Sequence, residues 1–271
     1  MAVRIKRNSY ISIFSVLVIF AIWFAVAFIA GEIRSVDFPT PLSTFLRLID
    51  NLKGEEVYEH PIYQHTLVSL TRWVFAYLFA VFSGILIGFG LGIYPTMHRL
   101  FMPFVYTLQL VPGLAWIPIA LLLFGLGEAS TFFMIFILGL TPVIITTASG
   151  IRETSPDLIQ ASILMGAGRM MLFRHVLLPS ALFHIIDGLR IALANSWRVL
   201  IAAEMIVGRG IGLGFIIIQS RWSLDYASAF VSIVIIVLFG LTTEKFLFNR
   251  IENNLRKKYG YDSQDKKAPK E

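Results

Sequence analysis

Arg198 and Glu204 stand six residues apart in a stretch, Ile185 to Val207, whose other charged residues are Asp187 and Arg190. On a helix that spacing sends the two side chains to different faces, so they cannot form a local pair. A charge kept inside a hydrophobic run is costly. It marks either a cavity or pathway, or an ion pair with another helix, and both readings stand here. A guanidinium facing a cavity would suit an anion. Glu204 would repel one, and so reads as a gate or as the partner of a second helix. Trp197 adjoins Arg198 and is read with it as pathway. Gln109, Pro112 and Trp116 recur at i, i+3 and i+7, where Pro112, Gly113 and Pro118 disturb the backbone hydrogen bonding. A polar amide beside a broken helix is tolerated in hydrocarbon against protein or a water-filled cavity, which makes this face a second pathway candidate, with a plain structural kink as the alternative. The histidines at 60, 65, 98, 175 and 184 show no metal-ligating spacing, and the chain has no cysteine. Neither a nucleophile with its base nor a paired carboxylate is visible, so no catalytic and no metal site is expected.

The elements that must carry these residues are set by composition. Of 271 residues 56% are hydrophobic and 15% charged, with mean hydropathy +0.74. A soluble domain carries roughly 25% charged residues. The net charge of +6 lies between apolar runs rather than on one basic face, which argues against nucleic acid as a partner and for a lipid bilayer as the solvent. Asn8–Gly31, Trp73–Met97, Leu100–Gly127 and Ala129–Ile151 contain no Asp, Glu, Lys or Arg; each reaches the ~20 residues that cross ~30 Å of hydrocarbon. Tyr226–Thr243 and the interrupted run Ile185–Val207 bring the expectation to six spans. The fold class is therefore all-α, a polytopic membrane protein with about six transmembrane helices. The first run is longer than a signal-peptide core and reads as an anchor.

Lys and Arg set the orientation. With the N-terminus inside, the inner segments hold sixteen of them and the outer segments five (Arg34, Arg47, Lys53, Arg209 and Arg221); that bias puts both termini in the cytoplasm. Three regions follow: 1–65, an N-terminal anchor plus external loop in which 42–52 reads as a short interfacial helix; 66–250, the membrane core; and 251–271, a polar tail expected to be frayed. Gly84, Gly88 and Gly92 fall four apart on one face, a small-residue ridge for close helix packing. The glycine-rich run 208–214 reads as an external turn.

Residues 152–180 form an inner loop of unusual content. Ser155-Pro156-Asp157 reads as a helix start, with a hydroxyl cap, a proline in the first turn and an acid at the positive end of the dipole. Gly166 permits the left-handed turn that ends this helix, and a second helix from Arg169 is expected to stop before Pro179. The physical reading alone is an amphipathic helix on the inner face of the bilayer. The spacing says more. Gln160-Ala161-Ser162, three residues, Gly166, nine residues, Val176, one residue, Leu178-Pro179 resembles the E-A-A…G…I-x-L-P signature of binding-protein-dependent ATP-binding-cassette importer permeases. Gln160 replaces the usual Glu and Ser162 the usual Ala.

The resemblance covers roughly residues 62–250, and 112–130 and 188–214 are similar to the nitrate, sulfonate and taurine branch of that family. It implies that loop 152–180 is a coupling loop whose Gln160, Ala161, Ser162, Met165, Gly166, Arg169, Leu178 and Pro179 meet the ATPase. It further implies a homodimer of permeases, two ABC ATPase subunits that bind ATP and Mg, and an external solute-binding protein, in a bacterial or archaeal cytoplasmic membrane. This chain would carry no cofactor of its own; it has no Gly-Lys dipeptide and hence no phosphate loop. The branch implies small anions such as sulfonates, taurine, nitrate or bicarbonate, while vitamin- and pyrimidine-type solutes occur among relatives. A secondary transporter would need ion-coupling acids in its spans, where only Glu204 qualifies.

Overall fold

The computed structural model describes residues 2–34 and 37–258. Among these, five helical stretches are long and apolar enough to cross a membrane: 14–33, 62–93, 128–152, 169–206 and 226–255. Two shorter helices, 95–110 and 113–124, meet at a 103° bend and are together long and apolar enough to count as a sixth if they form one broken span. The chain runs α1 (Ala2–Arg34), α2 (Pro41–Leu52), a two-residue hairpin of β1 (Glu56–Val57) and β2 (His60–Pro61), α3 (Ile62–Ile93), α4 (Pro95–Leu110), a 3-10 turn Gly113–Trp116 and α5 (Ile117–Phe124). It continues through α6 (Glu128–Arg152), α7 (Pro156–Leu164), α8 (Arg169–Leu172), α9 (Leu178–Ile206), α10 (Leu213–Ser223), α11 (Tyr226–Thr242) and α12 (Asn249–Lys258).

Glycine brings the central helices together. Lipid tails are as apolar as leucine, so close van der Waals contact rather than water exclusion holds spans to one another. A Cβ placed on Gly84, Gly88 or Gly92 of α3 would stand 2.8, 2.6 and 2.9 Å from Val143, Thr147 and Ile151 of α6, which repeat with the same period of four. The expected ridge thus packs inside this chain. On its other side α6 receives α9, with Gly150 against His184 and Gly188 against Thr146. Gly139, in the middle of α6, faces Ala80 of α3 and Ser196 of α9; those residues mark the mid-height of the bundle.

An aromatic cluster fills the crossing of α3, α9 and α11. Trp73 stacks on Tyr77 at 4.9 Å, Trp197 meets Phe239 at 4.3 Å, and the two tryptophan rings meet edge to face at 5.6 Å. Their polar atoms are satisfied in place: Trp73 Nε1 donates to Ser196 Oγ (2.9 Å), Tyr77 Oη to Leu189 O (2.9 Å) and Trp197 Nε1 to Ile236 O (3.3 Å). Along residues 14–33 of α1 most side chains are exposed, and Trp23 stacks on Phe230 and donates to Pro39 O.

Helix α2 is present as expected, capped by Thr40, whose side chain accepts the Ser43 N–H. Arg47 ties it to Glu55 and to Asp225, the N-cap of α11. Burial works against the Arg47 charge, but its hydrogen bond to Glu55 and the nearby charge of Asp225 outweigh it and raise its pKa above the ordinary value.

Three local expectations change. Pro179 does not stop a helix: α8, a π-turn at Phe173–Leu177 and α9 run on as one stretch from 169 to 206. In the widened turn the Leu178 N–H reaches Phe173 O, so the register shifts just where proline lacks a donor and would press on the preceding turn. Ser155 precedes α7, yet its hydroxyl makes no capping bond. Residues 251–258 of the tail are helical as part of α12, held by Glu252 to Arg190; the remainder of the polar tail, 259–271, lies outside the described residues.

Candidate functional site

The loop between α6 and α9 projects from one end of the bundle. Pro156 opens α7, and Gly166 closes it at φ +84°, where Ala167 N–H returns to Ser162 O and Gly166 N–H to Ile163 O. A Cβ at Gly166 would meet nothing within 4 Å, so glycine is required there by backbone conformation alone. No residue of α7 or α8 is buried. Leu164, Met165 and Met170 are 88, 80 and 75% exposed, and Gln160, Ala161 and Arg169 also face outward. Ser162 turns its hydroxyl back to Leu158 O (2.7 Å). Leu178 and Pro179, half-buried, begin α9 and root the loop in the bundle.

A cleft of about 410 Å³ opens where α4 breaks against α9. Gln109, Pro112, Gly113 and Leu114 line one wall, Leu138 belongs to α6, and Asn195, Arg198, Val199 and Ala202 line the other. Pro112 ends the α4 hydrogen-bond ladder and the chain resumes as a 3-10 turn, with Ala115 N–H on Pro112 O (2.9 Å). Gly113 admits Val199, whose Cγ2 would stand 3.1 Å from a Cβ there. Arg198 Nε donates to Ala194 O (2.8 Å) and Nη2 to Asn195 Oδ1 (3.1 Å). Ser196, two residues earlier, lies opposite Gly139, which puts the cleft near mid-height.

The other pathway candidates fall elsewhere. The sharp bend breaks the i, i+3, i+7 face, so Trp116 turns into the core beside Phe133. Trp197, next to Arg198 in sequence, points the opposite way into the aromatic cluster. Glu204 is also absent from the cleft. Its side chain, with no exposed surface, receives Arg72 Nη1 at 3.0 Å, Ser69 Oγ at 2.8 Å and the Gly214 N–H at 3.0 Å.

That cluster closes the end of the bundle away from loop 152–180. His65, Ser69 and Arg72 follow one face of α3 at i, i+4 and i+7, and each holds the glycine loop after α9. His65 Nδ1 accepts the Gly212 N–H (3.0 Å), Ser69 Oγ accepts the Leu213 N–H (2.9 Å), and Arg72 Nη1 donates to Ile211 O (2.6 Å). The network assigns the His65 proton to Nε2, which donates to Val57 O at 2.8 Å. Arg72 also pairs with Glu128 at the start of α6. None of these three α3 residues stood out in the sequence, although their spacing is a helical face. Arg72 looked like the border of the charge-free run that begins at Trp73. Asn195 was missed for a like reason, being an ordinary polar residue until its contact with Arg198 is seen. Among the described residues no group of three or more His, Asp or Glu could hold a metal ion.

Comparison with known proteins gives this geometry a context. The chain is 30% identical over 237 residues to the taurine transport system permease protein TauC of Escherichia coli K12, covering 87% of this chain and 86% of that one. It is 35% identical over 173 residues to the nitrate import permease protein NrtB of Leptolyngbya laminosa, covering 64% and 62%. With the bicarbonate transport system permease protein CmpB of Synechococcus elongatus it shares 30% over 186 residues, covering 69% and 67%. In fold it resembles the MetNI methionine ABC transporter in an inward-facing conformation, with a TM-score of 0.58, 21% identity, and coverage of 72% of this chain and 98% of that one. Residues 78–257, from the middle of α3 to the end of α12, match one family profile, and the chain belongs to that family, the inner membrane components of binding-protein-dependent transport systems.

Proposed function

We propose that this chain is the permease subunit of an ATP-driven importer, and that two copies pair around a path for a small anion. The observation that carries the reading is the coupling loop. It is a short helix ended by a left-handed glycine, presenting Leu164 and Met165 almost fully exposed at one end of a membrane bundle. Apolar side chains so exposed beyond the spans call for a protein surface to cover them. The ATPase would be that surface, two copies of it binding ATP and Mg, and hydrolysis would move the spans through α7 and the continuous stretch 169–206.

Six crossings return the chain to its starting side. The Lys and Arg bias makes that side the cytoplasm, together with loop 152–180, and leaves the Glu204 cluster on the outer side where a solute-binding protein would dock. On this reading residues 66–250 are the transporting core and 1–65 an added anchor and outer loop. The relatives named for taurine, nitrate and bicarbonate transport support a small anion as solute, and Gln109, Pro112 and Arg198 would line its path.

Reconstitution tests the whole. The chain, reconstituted with a partner ABC ATPase and solute-binding protein, should take up taurine, nitrate or bicarbonate into liposomes only when ATP is supplied on the ATPase side. Uptake by this chain alone, or uptake driven by an ion gradient without ATP, would overturn the proposal.

A further inference from the structure

Among the described residues Arg198 has no carboxylate partner. The arginines at 47, 72 and 190 each pair with two acids, Glu55 and Asp225, Glu128 and Glu204, and Glu244 and Glu252. Arg198 bonds only to neutral oxygens of its own helix, Ala194 O and Asn195 Oδ1. These contacts hold the side chain in place and leave its charge uncompensated. A guanidinium offers five N–H donors; Nε and one donor of Nη2 are engaged, while Nη1 is uncommitted. The same cleft exposes the Gln109 amide, which has no hydrogen bond among the described residues. The remaining wall, Leu114, Leu138, Val199 and Ala202, is apolar. Low-dielectric walls around one sign of charge focus its field on the space between them, and no acid lines the cleft to cancel it.

We propose that Arg198, held by Asn195 and joined by Gln109, is the recognition point for one small oxyanion, of the carboxylate, nitrate or sulfonate type, halfway along the path. The inference rests on the importer reading and deepens it by assigning the specificity-determining residue. A guanidinium matches the planar, two-oxygen edge of such groups, and a cleft of about 410 Å³ holds a small solute with some of its water. A lipid phosphate offers the same chemistry, but would have to leave the headgroup layer to reach mid-height.

The chain has no cysteine, so single thiols report the cleft directly. Ala202→Cys, or Leu114→Cys as a second position, is placed in the full chain in phosphatidylcholine nanodiscs. Each is treated with the anionic sulfonatoethyl or the cationic trimethylammonioethyl methanethiosulfonate. The anion-to-cation rate ratio should exceed that of the same thiol in an Arg198→Gln background by tenfold or more, and millimolar nitrate should slow the anionic reagent only where Arg198 is present. Equal ratios in the two backgrounds, or no reaction with either reagent at both positions, would overturn the proposal. A ratio that collapses when phosphatidylglycerol replaces part of the lipid would assign the site to a headgroup and overturn it likewise. No ATPase takes part, so ATP-dependent uptake combined with equal ratios would remove this site and leave the importer reading intact.

Discussion

Arg72 Nη1 lies 3.0 Å from Glu204 Oε1, and the Glu204 side chain has no exposed surface. The pair joins α3 to α9 across 132 positions of sequence, with the glycine loop clasped between them. Removing one member of a buried pair leaves the other charge stranded, at a cost of about 3–5 kcal/mol. Arg72→Ala should therefore lower the melting temperature of the purified chain sharply. Arg72→Ala with Glu204→Gln should recover part of the loss, since the second change removes the stranded charge. A double variant as unstable as the sum of the two single ones would show that the pair does not act as a unit.

Gly88 faces Thr147 with a gap that a Cβ would narrow to 2.6 Å. The chain tightens there between two backbones, so added bulk must separate α3 from α6. Overpacking of this kind costs roughly 1–3 kcal/mol. Gly88→Ile should reduce yield and melting temperature, and Thr147→Gly in the same chain should restore both in part. A tolerated Gly88→Ile would mean that the ridge is not a tight contact.

Gly166 carries a different constraint, since open space surrounds it and φ is +84°. An L-residue in that region costs roughly 1–2 kcal/mol, enough to re-aim the end of α7 without disturbing the spans. Gly166→Leu should insert and melt like the parent but lose solute-stimulated ATP hydrolysis in the reconstituted importer. Normal stimulation would separate this turn from coupling.

The contrast between these sites explains what the sequence made visible. Pro156 and Gly166 act within a few residues of themselves, so helix α7 and its end were legible from local chemistry. So were the spans, because hydropathy along a run needs no knowledge of neighbours. Trp116 and Trp197 were misplaced because helical spacing shows which residues share a face and not what that face meets. The bend at Pro112 then broke the Gln109–Trp116 face altogether. Pro179 was read as a stop because a π-turn five residues long leaves no mark in composition. Glu204 is conspicuous and Arg72 is not, and only the packing of α3 on α9 pairs them. The glycines of α3 pointed to close packing without naming the partner, which is α6 of the same chain.

The proposed pairing of two copies rests on the family and on the cleft between α9 and the break after α4. A single cysteine at Ala202 on each of two copies should form an intermolecular disulfide under mild oxidation in the ATPase-bound complex, and its yield should change when ATP is added. An active complex that never crosslinks from this cleft, while a thiol on the exposed face of α1 behaves identically, would place the second copy elsewhere.

Transport itself gives the last test of Arg198. Its only bonds are to Ala194 and Asn195 of its own helix, so losing the charge breaks no tie between helices, unlike Arg72. Arg198→Gln keeps a polar side chain of similar reach and should leave expression, melting temperature and basal ATP hydrolysis near parental values. Uptake of an anionic solute should fall severalfold or more. Arg198→Lys should restore part of it, because an ammonium keeps the charge but lacks the planar fork that grips two oxygens at once. If Arg198→Gln lowers stability as much as Arg72→Ala does, the guanidinium is a structural member of the bundle. Unchanged uptake in both variants would show that the solute passes without using this charge.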